Sequence, residues 1–134
     1  MSFLPSSVKR SLNDARVNIL RMRDRLDQKY RTYIMASRTG TLYIGSTSEF
    51  YVRVMQHKTG EIEGFSRIYK CDQLVYYESY DDARKAVGPE RQLKGWRRAK
   101  KIALIESVNP RWKDLAENWG REMLFRGESI KKTP

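Results

Sequence analysis

The sequence predicts a small α+β domain, a three-stranded antiparallel sheet flanked by helices with an N-terminal helical extension. Three features carry that prediction. Two runs rich in β-branched and aromatic residues, Tyr33–Ser37 and Thr41–Ser46, flank the turn-forming Arg38-Thr39-Gly40. A third such run, Gln73–Ser79, follows after a helix-length interval. Around them, apolar residues recur at spacings of three and four, the period of an amphipathic helix. With 134 residues the chain has room for one domain with its own core. The sequence divides into an extension at 1–30, a domain at 31–117 and a polar tail at 118–134.

In the extension, Val8, Leu12, Ala15, Ile19, Met22 and Leu26 form a narrow apolar stripe on a basic helix. Such a stripe packs against its own domain or pairs with a second copy, so a homo-oligomer through this helix is one expectation.

The hairpin that follows makes a parity prediction. A two-residue loop at Thr39-Gly40 pairs Ala36 with Tyr43 and sends Tyr33 to the opposite face. A three-residue loop pairs Met35 with Tyr43 and places Tyr33 and Tyr43 on one face, because side chains alternate along a strand. That loop needs a left-handed residue at its end, which Gly40 supplies. Ser48 and Glu49 then start a helix on which Arg53 and His57, four apart, share one face. The histidine is the only one in the chain.

Thr59–Phe65 reads as a loop with two glycines, and Phe65, Arg67 and Tyr69 alternate aromatic and basic residues. The mixture suits stacking on bases and pairing with phosphates, or plain coverage of the core. After the third strand, Asp81 or Asp82 caps a helix that is expected to break at Gly88-Pro89, leaving Glu90 in the first turn of a new one. This second helix is predicted to run on through Leu93, Trp96, Ala99 and Ala103, with a kink at Gly95. Arg91, Lys94, Arg97, Arg98, Lys100 and Lys101 cover its remaining surface. Ile102–Ile105 read as core, Asn109-Pro110 as a stop, and Trp112–Trp119 as a last short helix.

Charge points to the partner. Lysine and arginine number 27 against 16 acidic residues, a formal net charge of +11. Basic residues clustered at 91–101 attract a phosphate backbone. DNA is the expected partner; RNA stays open, since nothing in the sequence reads a 2′-hydroxyl. Cys71 is alone, which excludes an intrachain disulfide and a thiolate zinc cage and points to a reducing cytoplasm. No apolar run is long enough to span a bilayer, so no membrane partner is expected.

The hairpin and its helix resemble the GIY-YIG nuclease superfamily, and within it the small single-domain URI-type bacterial endonucleases. Tyr43-Ile44-Gly45 matches the second signature tripeptide, while Arg31-Thr32-Tyr33 stands at the first and keeps only its tyrosine. The resemblance runs from about Arg31 to Leu115. It implies Arg53 and His57 as the family's helical pair, and Glu90, within Pro89–Trp96, as the ligand of one Mg2+ or Mn2+ ion. Asn109 is the candidate for an asparagine the family often places near the metal.

Such a set suits hydrolysis of a phosphodiester. Tyr43 is the candidate base and His57 the expected acceptor of its proton, since a phenol is mostly protonated near neutrality. Arg53 offers a planar donor fork to the phosphate, and Tyr33 positions water or phosphate or shares the base role. Arg67, the cations of 91–101 and Asn109 are the candidate substrate contacts. The expected activity is metal-dependent DNA cleavage directed by structure or by single strands, with little sequence preference. The alternative is a nucleic-acid-binding module without catalysis.

Overall fold

A computed structural model describes residues 18–119. Its strands are β1 (Tyr30–Ala36), β2 (Leu42–Thr47) and β3 (Gln73–Tyr80), in the order β2-β1-β3 with both pairings antiparallel. Residues 18–27 are helical (α1) and precede the sheet. Helices α2 (Phe50–Thr59) and α3 (Phe65–Ile68) lie between β2 and β3, and α4 (Ala83–Gly95) and α5 (Arg98–Val108) follow β3. The chain has the α+β class expected of it.

The hairpin has the three-residue loop. Met35 pairs with Tyr43 and Tyr33 with Gly45. Gly40 turns the chain at φ +95°, a value that strains any residue carrying a Cβ. Strand alternation then buries both faces of β1. Tyr33 and Met35 pack with Phe50, Val54 and Leu74, while Ile34 and Ala36 pack with Ile44, Val75, Leu93 and Ile105.

Helix α1 departs from the predicted stripe. Leu20 is the residue that packs, against Val52 and Met55, whereas Ile19, Met22 and Leu26 face outward, Leu26 with 82% of its surface exposed. Asp24 anchors the helix from the same inner face. Its carboxylate accepts the backbone N–H groups of Tyr51 at 2.9 Å and Val52 at 3.2 Å. It thereby caps α2, whose own N-cap residue Glu49 makes no side-chain cap bond. A polar residue with an inward hydrogen-bonding task is invisible to a search for apolar spacing. Val8, Leu12 and Ala15, and the tail from residue 120, lie outside the described residues.

Helix α4 does not break at Pro89. Asp82 caps it, accepting from the Arg84 N–H at 2.9 Å, and it continues to Gly95. Ala86 and Leu93, on either side of the proline, are both buried. Their packing outweighs the helix bond to the Lys85 carbonyl that proline cannot make. Glu90 therefore lies inside a helix rather than at its start. The interruption comes at Trp96 and Arg97, both extended, with ψ of 152° and 156°. The basic run thus spans two helices. Leu93 is buried and Trp96 packs against the same cluster, but Ala99 and Ala103 are exposed.

Residues 112–118 form loop and turns rather than a helix, and hydrogen bonds to β3 hold them there. Leu115 N–H donates to the Leu74 carbonyl at 2.7 Å, and Asp114 accepts from Leu74 N–H at 3.1 Å. Lys58 closes the segment with an ion pair to Asp114. Among the described residues no helix is long and apolar enough to cross a membrane.

Candidate active site

The hairpin and α2 bring four predicted residues together. The Tyr33 and Tyr43 rings lie 6.4 Å apart between centroids, and the His57 ring lies 5.5 Å from the first and 4.8 Å from the second. Tyr33 is 1% exposed and His57 4%, while Tyr43 and Arg53 are half-buried. The buried pair forms the floor of the site and the half-buried pair its accessible side.

A directed hydrogen-bond chain runs through the floor. The Tyr33 hydroxyl and His57 Nε2 are 2.8 Å apart, and His57 Nδ1 and Ser66 Oγ are 2.7 Å apart. The Ser66 hydroxyl donates to the Cys71 carbonyl at 3.4 Å, so its oxygen accepts from Nδ1–H. His57 is then the Nδ1–H tautomer, and its Nε2 lone pair accepts a hydrogen bond from the Tyr33 hydroxyl. Electrostatics agree with that polarity. Burial pushes the Tyr33 phenol far above its ordinary range; neighbouring Tyr43 and Glu90 add to the rise and Arg53 opposes it. Burial, seconded by Arg53, pulls His57 down to about 4. Tyr33 stays protonated and His57 stays neutral.

This arrangement revises one assignment. Both imidazole nitrogens are engaged, one by Tyr33 and one by Ser66, so His57 is not the hydrogen-bonded acceptor of the Tyr43 proton. Tyr43 meets it ring against ring instead.

Gly45 makes the floor possible. A Cβ at this position would stand 2.5 Å from the Tyr33 hydroxyl oxygen, far inside van der Waals contact. The Tyr33 ring crosses β2 over the space that glycine leaves.

Glu90 comes from α4, beside β2. Burial works against its charge, but hydrogen bonds from Ser46 and Lys94 hold its carboxyl below the usual range, so it is an anion at neutral pH. Ser46 in turn bonds Thr32 across the β1–β2 ladder at 3.0 Å. Lys94 pairs with Glu90 at 2.9 Å, one turn along the helix. Among the described residues no three His, Cys, Asp or Glu side chains cluster as a metal cage. One ionised carboxylate still fits a magnesium or manganese ion, which keeps several waters and takes further oxygens from a phosphate.

The remaining candidates lie apart. Arg67, Arg91, Arg97, Arg98 and Lys100 are exposed and Lys101 is half-buried. Arg98 reaches the hairpin tip, where its Nη2 would stand 2.8 Å from a Cβ on Gly40. The Lys100 ammonium lies over the Trp96 ring at 4.3 Å. Asn109 is buried and spends its amide internally. It donates to the carbonyls of Val75 at 3.0 Å and Lys113 at 2.9 Å, and accepts from Lys113 N–H at 3.0 Å. Its structural place is the fastening of the α5 end to β3, which corrects the expectation that it faces substrate.

Sequence reasoning missed Ser66 and Ser46. Neither stands in a motif, and only the fold shows that one orients the histidine and the other the glutamate.

Residues 29–103 match the GIY-YIG catalytic domain. The chain is 32% identical over 77 residues to a UPF0213 protein of Staphylococcus saprophyticus, covering 58% of this chain and 94% of that one. It is 32% identical over 76 residues to a UPF0213 protein of Bacillus pumilus, covering 57% and 78%. A UPF0213 protein of Staphylococcus epidermidis is 30% identical over 78 residues, with 58% and 95% covered. No solved structure matches the chain.

Proposed function

Since the chain belongs to the GIY-YIG catalytic domain family, alongside small bacterial UPF0213 proteins, we propose that it is a metal-dependent endonuclease that hydrolyses DNA phosphodiester bonds. The observation that carries this reading is the gathering of Tyr33, Tyr43, Arg53 and His57 at one hairpin, within reach of the charge of Glu90. No single one of these residues is diagnostic; their convergence inside the matched stretch is what supports the reading.

Tyr43, on the accessible side, takes the proton of the attacking water as a phenolate, after its own hydroxyl proton has passed to the solvent it faces. Arg53 presents its donor fork to the non-bridging phosphate oxygens and offsets the charge that builds there. The Tyr33–His57–Ser66 chain holds the floor beneath Tyr43 in one protonation pattern. Glu90, bonded to Ser46, would hold one magnesium or manganese ion in place of its ion pair with Lys94. When bound, that ion stabilises the departing sugar oxygen. The exposed cations of α4 and α5 attract the strand, with little means of reading its sequence.

The test is cleavage of labelled single-stranded, duplex and branched DNA with magnesium or manganese and with chelator, comparing intact protein with Glu90→Gln and Tyr43→Phe. Metal-dependent cutting by the intact protein alone, reduced at least a hundredfold in both variants, supports the reading. Tight binding without cutting in any metal overturns it in favour of a binding module.

A further inference from the structure

We propose that α3 carries a stacking platform for an unpaired nucleobase next to the scissile phosphate, built from Phe65 and Tyr69. The proposal rests on the nuclease reading only for the identity of the neighbouring site. Because residues 65–68 are helical, Phe65 and Tyr69, four apart, fall on one face, while Arg67 between them turns off it. Their rings lie 4.6 Å apart at 41°, yet they are 48% and 52% exposed. Phe65 belongs to none of the buried clusters, and Ile68 beside it is 72% exposed. A paired aromatic surface left in water has open π-faces to offer.

Position decides what those faces meet. Ser66, between the two aromatics in sequence, is buried and bonded to His57 Nδ1 at 2.7 Å. The inner face of one short helix therefore fixes the site histidine while the outer face shows the aromatic pair. Gly64 introduces the helix at φ +102°, and Lys70 leaves it at φ +54°. Those two left-handed residues confine the platform to a single turn beside the site. Charge complements it, since Arg67 and Lys70 are both exposed within the same segment and the chain carries a net +11. Aromatic rings flanked by cations grip a single strand, stacking its bases and pairing its phosphates without reading sequence. A blunt duplex keeps its bases stacked on each other and has none to give. The favoured partner is thus a nucleic acid with an unpaired base.

The experiment measures binding in chelator, so that nothing is cut. Full-length protein is titrated into a single-stranded DNA carrying 2-aminopurine and into a blunt duplex of equal length, and the Phe65→Ala/Tyr69→Ala protein is treated alike. Phe65→Trp/Tyr69→Trp serves as the conservative control, and circular dichroism checks each fold. The intact protein should alter the 2-aminopurine signal, and the alanine pair should weaken single-strand binding on the order of tenfold per ring. Duplex binding should stay within about twofold, and the tryptophan pair should keep single-strand affinity. Equal losses on both DNAs, no loss on the single strand, or no single-strand binding by the intact protein each overturn the proposal. Failure of the nuclease reading looks different. There, no metal supports cutting while the aromatic dependence of single-strand binding persists.

Discussion

At Gly45 the absence of a side chain is what lets the Tyr33 phenol lie across β2 and reach His57. Gly45→Ala should force the ring aside at a cost of about 1–3 kcal/mol and break the bond to Nε2. Urea unfolding and cleavage assays should both register it, with activity falling at least tenfold; an alanine protein of unchanged stability and rate would remove this role. His57 supplies a pH signature. Its ordinary value of 6.5 falls to about 4 in the fold, so below pH 6.5 the unfolded chain takes up a proton that the folded chain refuses. The stability contributed is complete above pH 6.5 and is lost as pH drops toward 4. Asp24, whose carboxyl burial raises, acts with the opposite sign near the bottom of that window. The urea midpoint should fall between pH 7.5 and 5, and His57→Gln should flatten the fall; equal slopes in the two proteins would show that another group is responsible.

Helices α1 and α2 are joined by one carboxylate. Asp24→Ala removes the acceptor of two backbone N–H groups at the start of α2 and should cost about 1–2 kcal/mol in urea unfolding. Asp24→Asn keeps one good acceptor and should cost less than alanine; if alanine proves neutral, water caps the helix equally well. The elements also show what sequence discloses. The hairpin was legible to its register, because strand parity and one left-handed glycine leave a single loop that puts two tyrosines together. The pairing of Arg53 and His57 on α2 was legible from their spacing alone. Pro89 misled, because the buried residues holding α4 together across it are a tertiary fact. Asp24, Ser46 and Ser66 were silent for the same reason. Each acts on a partner that only the fold brings beside it.

For the whole molecule, the outward stripe of Ile19, Met22 and Leu26 raises the question of association. If a second copy covers it, Met22→Glu/Leu26→Glu should convert a dimer to a monomer in sedimentation while leaving the fold intact. These side chains are exposed, so their replacement leaves the Leu20 contacts in place; a monomer in both proteins would leave the stripe without this role. The site itself is divided between strands of unequal standing. β1 is hydrogen-bonded on both sides, β2 only on one. Opening of a sheet begins where the ladder has a free side, so amide exchange should be slowest along Tyr30–Ala36 and faster along Leu42–Thr47. Tyr33 therefore rides on the strand that breathes least, and Tyr43 on the one that breathes more. When the rim of the sheet loosens, one phenol keeps its place against the histidine while the other swings with the door.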